Sequence, residues 1–383
     1  MRIVILGWYG TETIGDRAIL AGLISFFNKS FSDFEIKIGS LFPFFTDRTL
    51  NEDYDYYKQI VKKDIDIKIF NSRKILELEK AILNSDIVVM GGGPLMHLNE
   101  LVMIEYSFKF AKKKNKKTAI LGCGIGPLFR GQKYRKSVIE IFKFSDITIL
   151  RDEVSKKNLM EIIDEFGYKT KKEIYVSFDP AVECAIQYKD IYKQDNINEA
   201  QIVVNLRDFP SEYSKKDIKL DINKKLKKLV ADISSQYNDK EIILIPHHYF
   251  YIGGDDREFL NSIKFSLNRS NLIVQNINLS LVETMQKYNE AILNIGMRFH
   301  AVVLQTIVSG KNYILDYTEP QKGKIYGFIK DIDKFNFYGD KYIQLQLEDL
   351  KNCNFNLIEK KFDINKEILK RRNNVYIKLL KSL

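Results

Sequence analysis

Short apolar runs alternate with longer amphipathic stretches along nearly the whole chain. RIVILG is followed by a glycine-containing loop and by GDRAILAGLISFFNKS, whose apolar residues recur at helical spacing. That order is the strongest constraint on the fold. Apolar runs without in/out alternation belong to strands buried on both faces, and such strands are parallel, joined by helices that cover the sheet.

The pattern continues with EIKIGSLF and DIKIF as strands, RKILELEKAILNS as a helix and DIVVMGGG as a strand. A helix around residues 100–114 leads to KTAILGCGIGP. Then come helical YRKSVIEIFKFS, strand DITILRD, helix EVSKKNLMEII and strand EIYVSFDPA. Residues 185–200, AIQYKDIYKQDNINEA, lose this periodicity, and the alternation restarts with QIVVNLRD, a lysine-rich helix and EIILIPHH. A helix near 256–268, NLIVQ, SLVETMQKYNE, AILNIG with its helix, and NYILDY complete it. A chain of 383 residues exceeds what one core usually serves. The expected architecture is α/β: two Rossmann-like domains facing a cleft, over 1–184 and 201–345. Residues 185–200 are the expected linker, and 346–383 the expected C-terminal helical segment.

Charge and cysteine content narrow the function. The net charge of +10 calls for an anionic partner, but the lysines are spread along helices. No arginine stripe with interleaved aromatics appears, so nucleic acid is not the expected partner. The basic NKEILKRRNNVYIKLLKSL reads as a helix packed on the body with its lysines in solvent, and a peripheral contact with an anionic membrane is its second reading. MRIVILGWYG reads as a first strand rather than a targeting segment. No window approaches a transmembrane span. Three cysteines without a C-x-x-C pair imply free thiols and a cytoplasmic setting.

Ligands of open α/β sheets bind beyond the carboxyl ends of the strands. At those positions stand Gly7 to Asp16, Gly91 to Pro94, Gly122 to Pro127, Arg151–Asp152, Asp179–Pro180, Arg207–Asp208, His247–His248 and Arg298 with His300. Each glycine loop alone reads as a tight turn; together they line one mouth with bare backbone N–H groups. Arg298 and His300 fall at the first turn of a helix, where the dipole disfavours a cation. Arg298 therefore either grips a bound anion with its forked donors or pairs with a structural carboxylate. Arg207 at the equivalent strand end tilts the balance to the anion. Lys324 lies just beyond the next strand and can complete a basic pocket. Adjacent His247 and His248 point apart, and no metal motif is present. Asp16 and Asp179 are candidate bases, although helix capping and a turn before Pro180 explain them equally well.

These residues stand in motifs that resemble the polysaccharide pyruvyl transferase family over about residues 1 to 330: GWYGTETIGDRAIL, GGGPLM, GCGIGPL, RDEVS, DPAV, VVNLRD, GMRFHAVVLQ and DYTEPQKGK. Pro94, Thr13 and Arg17 depart from the usual glycine, asparagine and glutamate. The resemblance implies a GT-B-like fold and phosphoenolpyruvate as co-substrate, with no cofactor and no metal. It implies a sugar acceptor in a surface polysaccharide (capsule, exopolysaccharide or cell wall) or in a lipid-linked precursor at the inner membrane face, and a pyruvate ketal as product. His300 and Arg298 are then the catalytic candidates. Arg207, Arg298, His300 and Lys324 would bind the donor in the C-terminal domain. Gly10, Asp16, Gly92, Gly93, Gly124 and Asp179 would line the acceptor side or cleft loops of the N-terminal domain. A homo-oligomer is compatible with this reading. A nucleotide-sugar glycosyltransferase and a catalytically silent glycan-binding protein are the alternatives.

Overall fold

In the computed structural model, which describes residues 1–128, 132–192, 198–213, 216–348, 350 and 353–383, the apolar runs form two parallel sheets. The chain divides into two compact units. One holds Met1–Glu12, Asp16–Gln187 and Asn365–Leu383, the other Thr13–Gly15 and Tyr188–Ile364.

The first unit begins β1 (Arg2–Leu6), α1 (Ile14–Ser30), β2 (Glu35–Ser40), α2 (Pro43–Val61), β3 (Ile67–Asn71), α3 (Ile75–Leu83) and β4 (Ile87–Met90). It continues with α4 (Leu101–Lys113), β5 (Lys117–Cys123), α5 (Gln132–Phe144), β6 (Ile147–Leu150), α6 (Glu153–Glu165), β7 (Tyr175–Val176) and α7 (Pro180–Tyr192). The strand order is β3-β2-β1-β4-β5-β6-β7, so the direction of winding reverses between β1 and β4. On one face Val4, Leu6, Val88 and Met90, two apart on their strands, share a core with Ile82, Phe108 and Phe142 from α3, α4 and α5. Burying each such large side chain stabilises by roughly 1.5–3 kcal/mol.

The second unit contains β8 (Asn198–Asn205), α8 (Lys216–Gln236), β9 (Glu241–Leu244), α9 (Asp256–Leu267), β10 (Leu272–Val274) and α10 (Leu281–Glu290). Then follow β11 (Ala291–Gly296), α11 (Phe299–Val308), β12 (Asn312–Asp316), α12 (Lys324–Ile332) and β13 (Tyr342–Gln344). Its order, β10-β9-β8-β11-β12-β13, repeats the same plan, with the reversal between β8 and β11. The last helix, α13 (Lys366–Lys381), returns to the first unit.

Several boundaries differ from the sequence reading. Residues 185–192, expected in a linker, continue α7, and 198–200 open β8. Residues 193–197 of that stretch lie outside the described residues. Among the described residues of 346–383, the one α-helix begins at Lys366. There Tyr376 stacks on Phe26 at 4.1 Å and donates to the Phe178 carbonyl at 2.6 Å, which anchors α13 by an aromatic contact rather than by its lysines. Helix α2 escaped notice because its buried face uses Thr46, Asp53, Tyr56 and Tyr57 where aliphatic residues would show a period. Asp53 is held by Arg17 at 2.6 Å. No helix among the described residues is long and apolar enough to cross a membrane.

Candidate functional site

In the second unit the site grows from the ends of β8 and β11, the pair flanking the reversal. Asn205, the last residue of β8, is fully buried and ties the two ends together. Its backbone carbonyl accepts the Met297 N–H at 3.1 Å, and its side-chain oxygen accepts the Arg298 N–H at 2.9 Å. Arg207 and Arg298, ninety-odd positions apart in sequence, thereby leave adjacent strand ends.

Arg298 caps α11 without a side-chain capping bond and is almost wholly buried. The partner that its burial demands is Asp256, the first residue of α9. Arg298 Nε lies 3.1 and 3.2 Å from the two carboxylate oxygens, and Nη2 donates to Oδ1 as well. The same carboxylate accepts the His247 and His248 N–H groups at 3.0 and 3.1 Å. The donor edge that the anion reading assigned to a ligand is thus occupied by Asp256, so the structural pairing is real. An anion is left the other edge of the guanidinium. Burial, and then the neighbouring Arg207, lower the Arg298 pKa from its ordinary value.

Arg207 donates from Nη2 to the Gly253 carbonyl at 3.5 Å, and Arg298 Nη2 reaches the same oxygen at 3.3 Å. Tyr317, buried at the end of β12, lies beneath both remaining cations. The Arg207 guanidinium carbon is 5.3 Å and Lys324 Nζ 5.9 Å from its ring centre. Lys324 also sits 5.8 Å from the Phe299 ring. Burial raises the Tyr317 pKa, but Lys324, Arg207 and Arg298 outweigh it and bring the hydroxyl down to about 8. Folded protein therefore sheds this proton before the unfolded chain does. The resulting stabilisation is fully present above the ordinary value of 10.0 and is lost as pH falls through about 8. An ultraviolet tyrosinate titration is expected to show a step near pH 8 that Tyr317→Phe removes and Lys324→Met moves upward.

The three histidines at these strand ends, His247, His248 and His300, divide by surroundings. His247 is a core histidine: its Nε2 lies 2.5 Å from the Tyr288 hydroxyl, and burial drives its pKa well down. His248 is half-buried beside Gly253. His300 stacks edge-on against Phe299 at 5.0 Å, and a Cβ on Gly15 would overlap its Nδ1. Gly15 of the GTETIG loop is therefore small to make room for His300. This segment belongs with the second unit, where Ile14 donates to the His247 carbonyl at 3.1 Å.

The first unit carries the other candidates at its strand ends, with the glycine loops after β1 and β4 at its own reversal. Gly7 and Gly92 pass backbone to backbone; a Cβ on Gly7 would lie 2.7 Å from the Gly92 Cα. Gly10 takes φ +91° where its loop turns against Phe42, and Gly93 packs on Trp8. Asp16 lies in the first turn of α1, 3.7 Å from where a Gly93 Cβ would stand. Gly124 admits the buried Arg151 guanidinium. Asp179 accepts the Ala181 N–H at 3.0 Å and lies 3.6 Å from Arg151 Nη1. Its contacts are those of a helix cap and an ion pair, in line with the turn before Pro180 that the sequence offered beside a role as base.

Among the described residues no cluster of three His, Cys, Asp or Glu side chains could hold a metal. What the second unit offers is charge. Arg207, Arg298 and Lys324 surround one tyrosine, Asp256 pairs with Arg298, and Asp316, engaged by Thr318 at 2.7 Å and Tyr342 at 2.5 Å, also faces Lys324. Such a site suits a small multivalent anion. Asn205 and Tyr317 stood inside motifs and His248 in a strand-end pair without a role assigned to them, and Asp256 was not singled out at all. The polar residue closing the apolar VVN and the acidic pair after YIGG were their faint signals.

The sequence matches the family model described as polysaccharide pyruvyl transferase over residues 14–304. No curated protein sequence matches it. Among known structures, the UDP-GlcNAc 2-epimerase of Methanocaldococcus jannaschii is similar with a TM-score of 0.60 at 15% identity, covering 100% of both chains. S. aureus MnaA, in a co-structure with UDP, is similar with a TM-score of 0.53 at 11% identity, covering 99% of this chain and 90% of that one. At these identities the likeness is one of fold: paired Rossmann-like sheets of the GT-B kind.

Proposed function

The chain belongs to the polysaccharide pyruvyl transferase family, and from that premise we propose that it moves the enolpyruvyl group of phosphoenolpyruvate onto a sugar of a surface polysaccharide or its lipid-linked precursor. The observation that carries the donor assignment is the group of Arg207, Arg298 and Lys324 around Tyr317. Phosphoenolpyruvate brings roughly −2.5 to −3 charges near neutral pH. It is small enough to be met by three cations at once.

Ketal formation fits these residues. A proton adds to C3, converting the methylene to a methyl group and making C2 electrophilic. One sugar hydroxyl then adds to C2, and a second displaces phosphate. Two O–H bonds, the C2=C3 π bond and the C2–O bond to phosphate break; one C–H bond, two C–O bonds and one O–H bond, on the departing phosphate, form. His300, at the first turn of α11, is the proposed C3 acid, imidazole being the side chain most often used to hand a proton to a reacting group. The cations stabilise charge as it gathers on phosphate. No base for the sugar hydroxyl is assigned: Asp16, one candidate, is accounted for equally well as a residue of the first turn of α1.

A thermal-shift titration separates this reading from nucleotide-sugar transfer. Phosphoenolpyruvate at about a hundred times its Kd is expected to stabilise the protein by roughly 2.7 kcal/mol. UDP- and GDP-sugars are expected to leave the melting temperature unchanged. A shift with a nucleotide sugar alone would overturn the proposal.

A further inference from the structure

We propose that His248 is the proton-handling partner of the anion site: its ring takes up a proton when a small multivalent anion settles among Arg207, Arg298 and Lys324, so that anion and proton bind as a pair. This deepens the donor reading above and rests on it.

The geometry ties His248 to both arginines. Its N–H donates to Asp256 Oδ2 at 3.1 Å, and its carbonyl accepts the Asp256 N–H at 3.0 Å. That carboxylate is the one gripping Arg298. Gly253 supplies the second tie. Its carbonyl receives Arg207 and Arg298, while a Cβ there would lie only 2.9 Å from His248 Nδ1. Only glycine leaves that ring its place. His248 Nδ1 is buried and has no hydrogen-bond partner among the described residues. Buried ring nitrogens are normally paired, and an open one beside two guanidinium groups is a position that a ligand completes.

The charges facing the ring come from every neighbouring element: Arg298 from the cap of α11, Arg207 from the end of β8, Lys324 from α12 and His247 from its own strand end. Asp256 touches its backbone and is spent on Arg298, and Thr13 contributes a backbone bridge. Without an anion, burial and then these cations hold the imidazole well below its ordinary pKa, hence neutral. A bound trianion cancels the repulsion and replaces it with attraction, so the ring gains a proton. The same cations act oppositely on the ligand: they favour the fully ionised phosphate, which would release protons. Net uptake must therefore come from the protein. In the ketal reaction the captured proton passes to a phosphate oxygen as the C2–O bond breaks, and the second sugar hydroxyl's proton restores the ring.

Calorimetric titration of the full chain near neutral pH, in two buffers of different ionisation enthalpy, reads this directly. Phosphoenolpyruvate and, separately, inorganic phosphate would be titrated into wild type, His248→Gln and His300→Gln. Proton uptake on binding is expected in wild type and His300→Gln, and is expected to vanish in His248→Gln while the anion still binds. Equal uptake in His248→Gln, or binding of phosphoenolpyruvate to wild type with no uptake, overturns the role of His248 and leaves the donor reading standing. Uptake with inorganic phosphate but no binding of phosphoenolpyruvate supports His248 and overturns the donor. Failure of both anions to bind overturns both.

Discussion

Arg298→Ala is expected to lower the stability of the second unit by about 3–5 kcal/mol, because it leaves the buried Asp256 carboxylate without its cation. For a unit of this size that corresponds to a fall of roughly 6–20 °C in melting temperature. Turnover per folded molecule is expected to fall too, since the variant lacks one of the three cations around the proposed donor. Thermal melts and activity normalised to folded protein check the two effects separately. In an Asp256→Asn background the same change is expected to cost much less stability, because an amide needs no cation while still accepting the His247 and His248 N–H groups. An unchanged melting temperature for Arg298→Ala alone would show that Asp256 is satisfied without it.

Lys324→Met is expected to do the opposite: lower kcat/KM several hundredfold, equivalent to about 3–4 kcal/mol of lost charge stabilisation, at little cost in stability. Lys324 is the first residue of α12, where the positive end of the helix dipole works against an ammonium. It is half-buried, and its nearest aromatic neighbours, Phe299 and Tyr317, pack as well against a methionine as against a lysine stem. Removing the charge is expected to leave the melting temperature level or to raise it slightly. The Lys324 ammonium also bonds to the Tyr317 hydroxyl and faces the buried Asp316 carboxylate, contacts whose loss the relieved dipole clash offsets. A fall in melting temperature that matches the loss of activity would make Lys324 structural and remove it from the donor site.

These contrasting expectations for two cations of one site could not be drawn before the structure was known. Both were legible as strand-end cations, and both readings of Arg298 were open. The arginine's carboxylate partner lies forty-two positions upstream, in a stretch with no motif. Tyr317 stood inside a recognised element but looked like an ordinary strand residue until three cations were found around it. His248 looked like half of a pair pointing apart; in the structure the His247 ring meets the Tyr288 hydroxyl and the His248 ring lies against Gly253.

What the sequence determined by itself was local. Apolar runs free of alternation specify strands covered on both faces, as β1, β4 and β5 are. Glycines and charged residues at the ends of those runs mark where ligands can meet the chain. What only the tertiary structure decided was which ends lie side by side. That depends on sheet order, and the reversal between β8 and β11 sets Arg207 against Arg298 with Asn205 as the clasp. The physical reason is one of range. Side-chain period and turn chemistry are encoded within a few residues, whereas the pairing of distant strands, and the buried charges it brings together, is settled by the packing of the whole unit.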